Sequence, residues 1–157
     1  MGTYYFDSSA MVKHYIPERG SEWVSSLIEA KMDGKPQNLI AIAEIGEVEV
    51  AAALAKRRRM NEISAAQQRI GLVTFLRHCA RRYHVLQMDS TIIKLAIELT
   101  QRHPLRGYDA VHLAIALIFN RALVEDSLLP LTFISADDVL CTASRKEGLP
   151  TENPNDY

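Results

Sequence analysis

Short apolar segments alternate with longer amphipathic ones along the chain. Residues 3–6, 38–42, 84–88 and 131–134 are short and apolar, and this pattern predicts a strand at each. Between them, apolar residues recur every three or four positions, which is typical of helices that bury one face. Strands separated by helices favour a parallel sheet with helices on both faces. We therefore predict an α/β fold built on a mainly parallel sheet.

The helices between the strands have recognisable boundaries. Ser8 and Ser9 are candidate caps for a short helix that runs towards Tyr15. The segment 109–120 is apolar nearly all round, so we expect a buried helix there. The other predicted helices begin at Gly20–Ser21, cover about 43–59 and 61–83, carry the apolar positions of 92–99, and end at Gly148.

The length of 157 residues suits one compact domain, and 48% hydrophobic residues can supply a sizeable core. We assign residues 1–150 to this domain and residues 151–157 to a polar C-terminal tail, which we expect to be partly disordered. No signal peptide is apparent, and no apolar stretch approaches transmembrane length. The two cysteines, Cys79 and Cys141, lack zinc-ligand spacing. These features predict a reduced, cytoplasmic protein without a membrane partner.

The formal net charge of −1 gives the chain no global positive field. Proteins that coat DNA or RNA bind by neutralising phosphates, so that class is disfavoured. An enzyme that contacts RNA through a few arginines is still compatible. Basic runs at 56–59 and 77–82 are available for this, although we interpret them first as solvated helix faces. Neither a GxGxxG turn nor a P-loop is present, which disfavours nucleotide-binding enzymes.

Four carboxylates stand out by their positions. Asp7 ends the first predicted strand, and Asp137 follows the fourth. Asp109 opens the apolar helix, and Glu49 lies within the alanine-rich helix. Asp109 and Asp137, taken singly, are explained equally well as helix caps, and Asp7 taken alone is more often a turn residue than a functional one. Ligands of parallel α/β folds bind beyond the carboxyl ends of the strands, however, so we expect these acids to converge there.

Glu49 is the most unusual of the four acids. It lies on the same predicted helical stripe as Ile45, Val48 and Ala52. A buried glutamate is costly unless it is paired or binds a metal ion. Glu49 alone is explained equally well by a side chain that reaches solvent.

A cluster of carboxylates predicts a divalent cation. Several carboxylates held together repel one another and raise their own pKa values, and a cation removes that penalty. Mg²⁺ prefers oxygen ligands, keeps several waters, and can orient an attacking water and stabilise charge on a phosphate. No His/Cys set supports zinc. The acids therefore favour Mg²⁺ or Mn²⁺ and phosphodiester hydrolysis.

Four stretches of the chain resemble the PIN-domain ribonucleases, and most closely the VapC-like toxins of bacterial type II toxin–antitoxin modules. They occur in the family's order and span most of the chain. Each motif alone is weak, but the four together are fairly specific. The stretches are Tyr5–Lys13 (YFDSSAMVK), Val48–Leu54 (VEVAAAL), Leu105–Ala114 (LRGYDAVHLA) and Thr132–Asp137 (TFISAD).

The resemblance implies a three-layer α/β/α sandwich and metal-dependent cleavage of RNA by water, with a 5′-phosphate and a 3′-hydroxyl as the product ends. By motif match, the catalytic and metal-binding quartet is Asp7, Glu49, Asp109 and Asp137. Ser8 or Ser9 is implied as a polar neighbour that helps position water or metal. An antitoxin protein that blocks the site and a homodimer are implied as partners.

Several alternatives stay open at this point. Glu44 and Glu47 compete with Glu49, and Asp138 competes with Asp137. We interpret His112, one helical turn after Asp109, as a partly buried histidine with a hydrogen-bond partner rather than as a metal ligand.

Two other functions compete with the ribonuclease. Aspartyl phosphotransferases of the haloacid-dehalogenase type place a second aspartate two residues after the first, where this chain has Ser9. A non-catalytic PIN-fold module that binds RNA or protein is the main alternative function. The presence of all four acids disfavours it.

Overall fold

A computed structural model describes residues 2–157 and contains one five-stranded parallel sheet and a short hairpin. The sheet order is β5-β4-β1-β6-β7, and the hairpin pairs β2 with β3. In chain order, the strands are β1 (Thr3–Phe6), β2 (Lys31–Met32), β3 (Lys35–Pro36), β4 (Leu39–Ala43), β5 (His84–Leu86), β6 (Thr132–Ile134) and β7 (Thr151–Glu152).

Seven α-helices connect the strands within the described residues. They are α1 (Ser8–Met11), α2 (Ser21–Glu29), α3 (Ile45–Arg59), α4 (Ala65–Arg81), α5 (Ser90–Arg102), α6 (Gly107–Glu125) and α7 (Asp138–Lys146). Two short 3₁₀ helices follow α1 and β7, at Val12–His14 and Pro154–Asp156.

The central strand β1 separates two hydrophobic cores. Successive side chains of a strand point to opposite faces of the sheet. Tyr5 therefore packs with Phe133 and the buried residues of α5 and α6, whereas Phe6 packs with Ile42 and the buried residues of α3 and α4. Because helices cover both faces, the predicted three-layer α/β/α sandwich with a parallel sheet is confirmed.

Two of the predicted helix starts differ from the observed ones because of capping side chains. Asp7, rather than Ser8 or Ser9, caps α1, because its side chain accepts a hydrogen bond from the backbone N–H of Ala10. The helix predicted from residue 61 begins at Ala65, because Ser64 and Gln67 form a capping box immediately before it.

Helix α6 is longer than the sequence pattern indicated. Its 19 residues are long and apolar enough to cross a membrane by length and composition, so the expectation of no such stretch was wrong. In the fold, residues Ala110–Ala116 of this helix, all apolar except His112, are buried, and the apolar ones pack against the sheet and α5. A core helix of this kind can match a membrane span in length and composition.

The C-terminal residues are ordered, so the expectation of a partly disordered tail was wrong. β7 extends the sheet by pairing in parallel with β6, with Thr151 opposite Phe133. Asn153 is buried, and the ring of Tyr157 stacks on Trp23 with 4.3 Å between centroids. The sequence of this segment is polar, but its backbone completes the sheet next to the loop that carries Asp137.

Candidate active site

Asp7 lies where β1 ends and α1 begins, and its carboxylate is almost fully enclosed, at 4% exposure. Ser9 donates its hydroxyl to both carboxylate oxygens, at 2.8 and 2.9 Å, and Ser135 donates to Oδ2 at 2.6 Å. Burial raises the pKa of Asp7, and the charge of His112 and the hydrogen bonds from Ser135, Ala10 and Ser9 oppose that shift.

Ser135 connects Asp7 to the loop after β6. Its hydroxyl donates to Asp7 and accepts a 3.1 Å hydrogen bond from the backbone N–H of Asp137. Asp137 then caps α7, since its Oδ1 accepts from the N–H of Leu140 at 3.0 Å. Asp138, by contrast, accepts a hydrogen bond from Asn153 near the C-terminus. The two adjacent aspartates therefore face different neighbours.

Asp109 is brought to the same region by the first turn of α6. The guanidinium of Arg106 donates from Nε to Asp109 at 2.8 Å, and its Nη2 lies 3.4 Å from Asp137. The Arg106 side chain is 80% exposed, so it can leave this position at little energetic cost. One cation thus already lies between two of the predicted acids.

Glu49 reaches the site from α3. Its Oε2 accepts hydrogen bonds from Ser8 Oγ, at 2.5 Å, and from His112 Nε2, at 2.6 Å. Burial raises the pKa of Glu49, but the hydrogen bond and charge of His112, with Ser8 and Arg106, outweigh it and hold the pKa below its usual value. The carboxylate is therefore ionised at neutral pH.

The reason given for selecting Glu49 was partly wrong. The buried stripe of α3 consists of Gly46, Val50 and Leu54, whereas Val48 is 64% exposed. Glu49 lies beside this stripe, which lets its side chain reach the sheet edge while remaining half-buried.

The competing glutamates lie elsewhere. Glu44 is exposed at the start of α3. Glu47 lies near Cys79 on α4, where its charge adds to burial in raising the pKa of that thiol to about 12. Neither glutamate has a hydrogen bond to the other acids or to the serines and histidine that surround them.

The side chains of the site offer the type of ligand atom that a hard cation prefers, because they present carboxylate and hydroxyl oxygens. As the side chains stand, no three of the described His, Cys, Asp and Glu residues are placed to hold one ion. Instead, Arg106 pairs with Asp109 and Asp137, and His112 donates a hydrogen bond to Glu49. Because the Arg106 side chain is exposed, it can move away and leave the carboxylates of Asp109 and Asp137 facing each other. With Arg106 moved away, the residues fit a divalent cation.

An open cleft of about 630 Å³ borders the acids. Glu49, Arg106 and Asp109 line one part of it, and apolar side chains that include Ile97 and Tyr108 line the rest. Of the four acids, Glu49 and Asp109 are therefore open to solvent through this cleft.

Sequence reasoning did not assign a role in the site to Tyr5, Arg106 or Ser135. It predicted a partly buried His112 with a hydrogen-bond partner, and the structure has this residue almost fully buried, 3% exposed, with partners on two sides. A usable signal was the spacing: Tyr5 and Ser135 each lie two residues before a predicted acid, and so on the same side of an extended segment.

Fold and site together define a class of α/β proteins with acids gathered at the carboxyl edge of a parallel sheet. Residues 4–140 match the family described as PIN domain, and the chain belongs to that family. Over 114 residues it is 37% identical to Ribonuclease VapC45 and to Ribonuclease VapC49, both from Mycobacterium tuberculosis. Each match covers 72% of this chain and 74% of the relative. The suspected family is thereby confirmed.

Two solved structures share the fold. VapBC2 from Rickettsia felis, bound to a DNA fragment from its promoter, has a TM-score of 0.61 at 16% identity and covers 96% of this chain and 98% of its own. A toxin–antitoxin complex from Klebsiella pneumoniae has a TM-score of 0.54 at 20% identity, with coverage of 96% and 97%. At these identities the likeness concerns the fold.

Proposed function

We propose that this chain is a divalent-metal-dependent endoribonuclease that acts in the cytoplasm as the toxin of a toxin–antitoxin pair. The observation that carries the proposal is the convergence of Asp7, Glu49, Asp109 and Asp137 at one edge of the sheet, in a chain of the PIN-domain family. The relatives named as ribonucleases support the choice of RNA as substrate.

Each acid has a defined part in this proposal. Asp7, Asp109 and Asp137 would hold Mg²⁺ or Mn²⁺ through carboxylate oxygens, with Glu49 as an ionised fourth ligand. A bound divalent ion would orient the attacking water and stabilise charge on the scissile phosphate. Ser9 holds both oxygens of Asp7, and Ser8 holds one oxygen of Glu49, so the two serines fix the directions of these carboxylates.

The proposed partners follow from the neighbours with this fold. Two of them were solved as toxin–antitoxin assemblies, which supports an antitoxin that covers the cleft beside the acids. A homodimer is proposed as well. Co-purification with the adjacent gene product and the molar mass in solution test the two partners separately.

The first experiment is cleavage of a mixed pool of labelled RNAs with Mg²⁺ or Mn²⁺ and with EDTA. Asp7→Asn is the test variant, because asparagine can still cap α1. Asp89→Asn is the matched control, since Asp89 caps α5 through the N–H groups of Thr91 and Ile92 and lies outside the site. We expect metal-dependent cleavage by the wild type and by Asp89→Asn, and none by Asp7→Asn.

Other outcomes separate the alternatives. Equal cleavage by Asp7→Asn and the wild type would remove Asp7 from the site. No cleavage by folded, partner-free protein under any metal condition would favour a non-catalytic PIN module. Calorimetric titration with Mn²⁺ would then show whether the acids still bind the ion.

A further inference from the structure

A buried chain of hydrogen bonds connects the core to the site. The hydroxyl of Tyr5 lies 2.8 Å from Nδ1 of His112, and Nε2 of His112 lies 2.6 Å from Oε2 of Glu49. Tyr5 is fully buried, and His112 is 3% exposed. This series of hydrogen bonds therefore runs from strand β1 through helix α6 to helix α3, and it is out of contact with solvent until it reaches Glu49.

The chemistry of the three groups fixes the direction of each hydrogen bond. An ionised carboxylate only accepts, so Nε2 of His112 must carry the hydrogen that is donated to Glu49. In neutral imidazole, Nδ1 then has a lone pair, and the Tyr5 hydroxyl donates to it. The Tyr5 hydroxyl keeps its proton at neutral pH, because the ordinary pKa of a tyrosine is about 10.

The opposite tautomer of His112 is disfavoured by both of its hydrogen-bond partners. With the hydrogen on Nδ1, the lone pair of Nε2 would face the Glu49 carboxylate. Among the described residues, the Tyr5 hydroxyl has no second hydrogen-bond partner, so its proton would lose its acceptor in the core. Tyr5 thus selects the tautomer that can hold Glu49.

The hydrogen bonds on Glu49 all fall on one oxygen. Ser8 and His112 both donate to Oε2, and no described side chain donates to Oε1. One carboxylate oxygen is held by the protein, while the other is left for a ligand.

We infer that Tyr5 and His112 are positioning residues, which together fix the Glu49 carboxylate so that Oε1 is presented to the divalent cation. The inference rests on the proposed function in that it concerns the same site. It assigns His112 to Glu49 and not to the ion, because Nε2 is used in the bond to Oε2. Tyr5 lies two residues before Asp7, so one strand sets the positions of two of the acids.

The test compares Tyr5→Phe with Tyr4→Phe. Both remove one hydroxyl from β1, but Tyr4 lies on the opposite face and packs in the other core. Two readouts do not depend on RNA cleavage: the tautomer of His112 from ¹⁵N NMR of histidine-labelled protein, and the affinity for Mn²⁺ from calorimetry. The chain has five histidines, and the signal lost in His112→Gln assigns His112.

For the wild type and Tyr4→Phe we expect His112 in the Nε2–H tautomer. For Tyr5→Phe, in which only Glu49 still selects the tautomer, we expect a smaller fraction of His112 in the Nε2–H form. We also expect an affinity for Mn²⁺ lower by roughly tenfold, as for other groups that orient a metal ligand. Tyr5→Phe with an unchanged tautomer and unchanged affinity would overturn the inference.

A second pair of variants covers the case in which Tyr5→Phe does not fold. His112→Gln keeps an N–H donor near Glu49, whereas His112→Leu keeps bulk without a donor. We expect Mn²⁺ to bind more tightly to His112→Gln than to His112→Leu, and equal affinities would overturn the inference. If these differences in Mn²⁺ binding appear but no RNA is cut by the wild type, the proposed function fails and the positioning role stands.

Discussion

The guanidinium of Arg106 lies against the carboxylate of Asp109, with Nε 2.8 Å from Oδ2, and its far side reaches Asp137. A divalent ion held by the two aspartates would be repelled by the positive charge of Arg106, because both cations would contact the same carboxylate oxygens. Arg106 and the ion therefore compete.

The first prediction is that Arg106→Ala binds Mn²⁺ more tightly than the wild type. The ion must displace the exposed ion pair of Arg106, which is worth about 1 kcal/mol at most, or up to roughly fivefold in affinity. Calorimetric titration at low ionic strength measures this, and added salt should reduce the difference. Arg102→Ala is the control, since Arg102 pairs with Glu147 outside the site. Weaker Mn²⁺ binding by Arg106→Ala would show that Arg106 supports the ion instead.

The second prediction separates the glutamates of α3. Glu49→Gln should lose Mn²⁺ affinity and RNA cleavage, because a neutral amide is a poor ligand and accepts a weaker hydrogen bond from His112. Glu47→Gln should keep both activities, with the free energy of unfolding changed by about 0.5 kcal/mol or less. Full activity of Glu49→Gln together with loss in Glu47→Gln would move the role to Glu47.

The third prediction separates the two adjacent aspartates after β6. Asp137→Asn should weaken Mn²⁺ binding while α7 keeps its cap, because asparagine also caps helices. Asp138→Asn should leave Mn²⁺ binding unchanged and cost about 1 kcal/mol of stability through its weakened hydrogen bond with Asn153. Calorimetry and urea denaturation of both variants measure these effects. The reverse pattern in Mn²⁺ affinity would assign the site to Asp138.

The sequence was sufficient to place the acids along the fold. Asp7 and Asp137 follow strands, and a parallel sheet brings the carboxyl ends of its strands to one edge. Asp109 was predictable because the apolar character of α6 begins beside it. These predictions need only the position of each acid relative to a strand or a helix. The repeating pattern of apolar residues indicates where those elements lie.

Contacts between side chains far apart in the sequence were not predictable in the same way. Ser135 bonds to Asp7 across 128 positions, and His112 to Glu49 across 63. Their geometry depends on the register of β1 with β6 and on how α3 and α6 face the sheet, neither of which is a local property. The ordered tail was missed for a related reason: β7 is fixed by backbone pairing with β6, which polar side chains do not reveal.

The last prediction concerns His14, which lies far from the acids against α2 and α4. Burial lowers its pKa to about 4; Glu29, 4.0 Å away, opposes that shift, and the charges of His78 and Arg82 add to it. Nδ1 of His14 is 2.9 Å from the hydroxyl of Ser25, and the ring packs edge-on against Tyr15. The folded protein therefore holds this histidine neutral at pH values where the unfolded chain protonates it.

The sign of the effect on stability follows from proton linkage. Between the ordinary pKa of 6.5 and the folded value of about 4, the unfolded state binds more protons, so stability falls as the pH is lowered through this window. The shift corresponds to about 3 kcal/mol at most.

In His14→Gln this contribution is absent, so the stability difference between wild type and variant should change in the variant's favour as the pH falls. Urea denaturation from about pH 7.5 to about pH 4.5 measures this. His84→Gln, which replaces an exposed histidine, is the control for general effects of pH. If the difference in unfolding free energy between wild type and His14→Gln stays constant across the series, His14 is protonated equally in the folded and unfolded states. That result would contradict the prediction that His14 is held neutral in the folded protein.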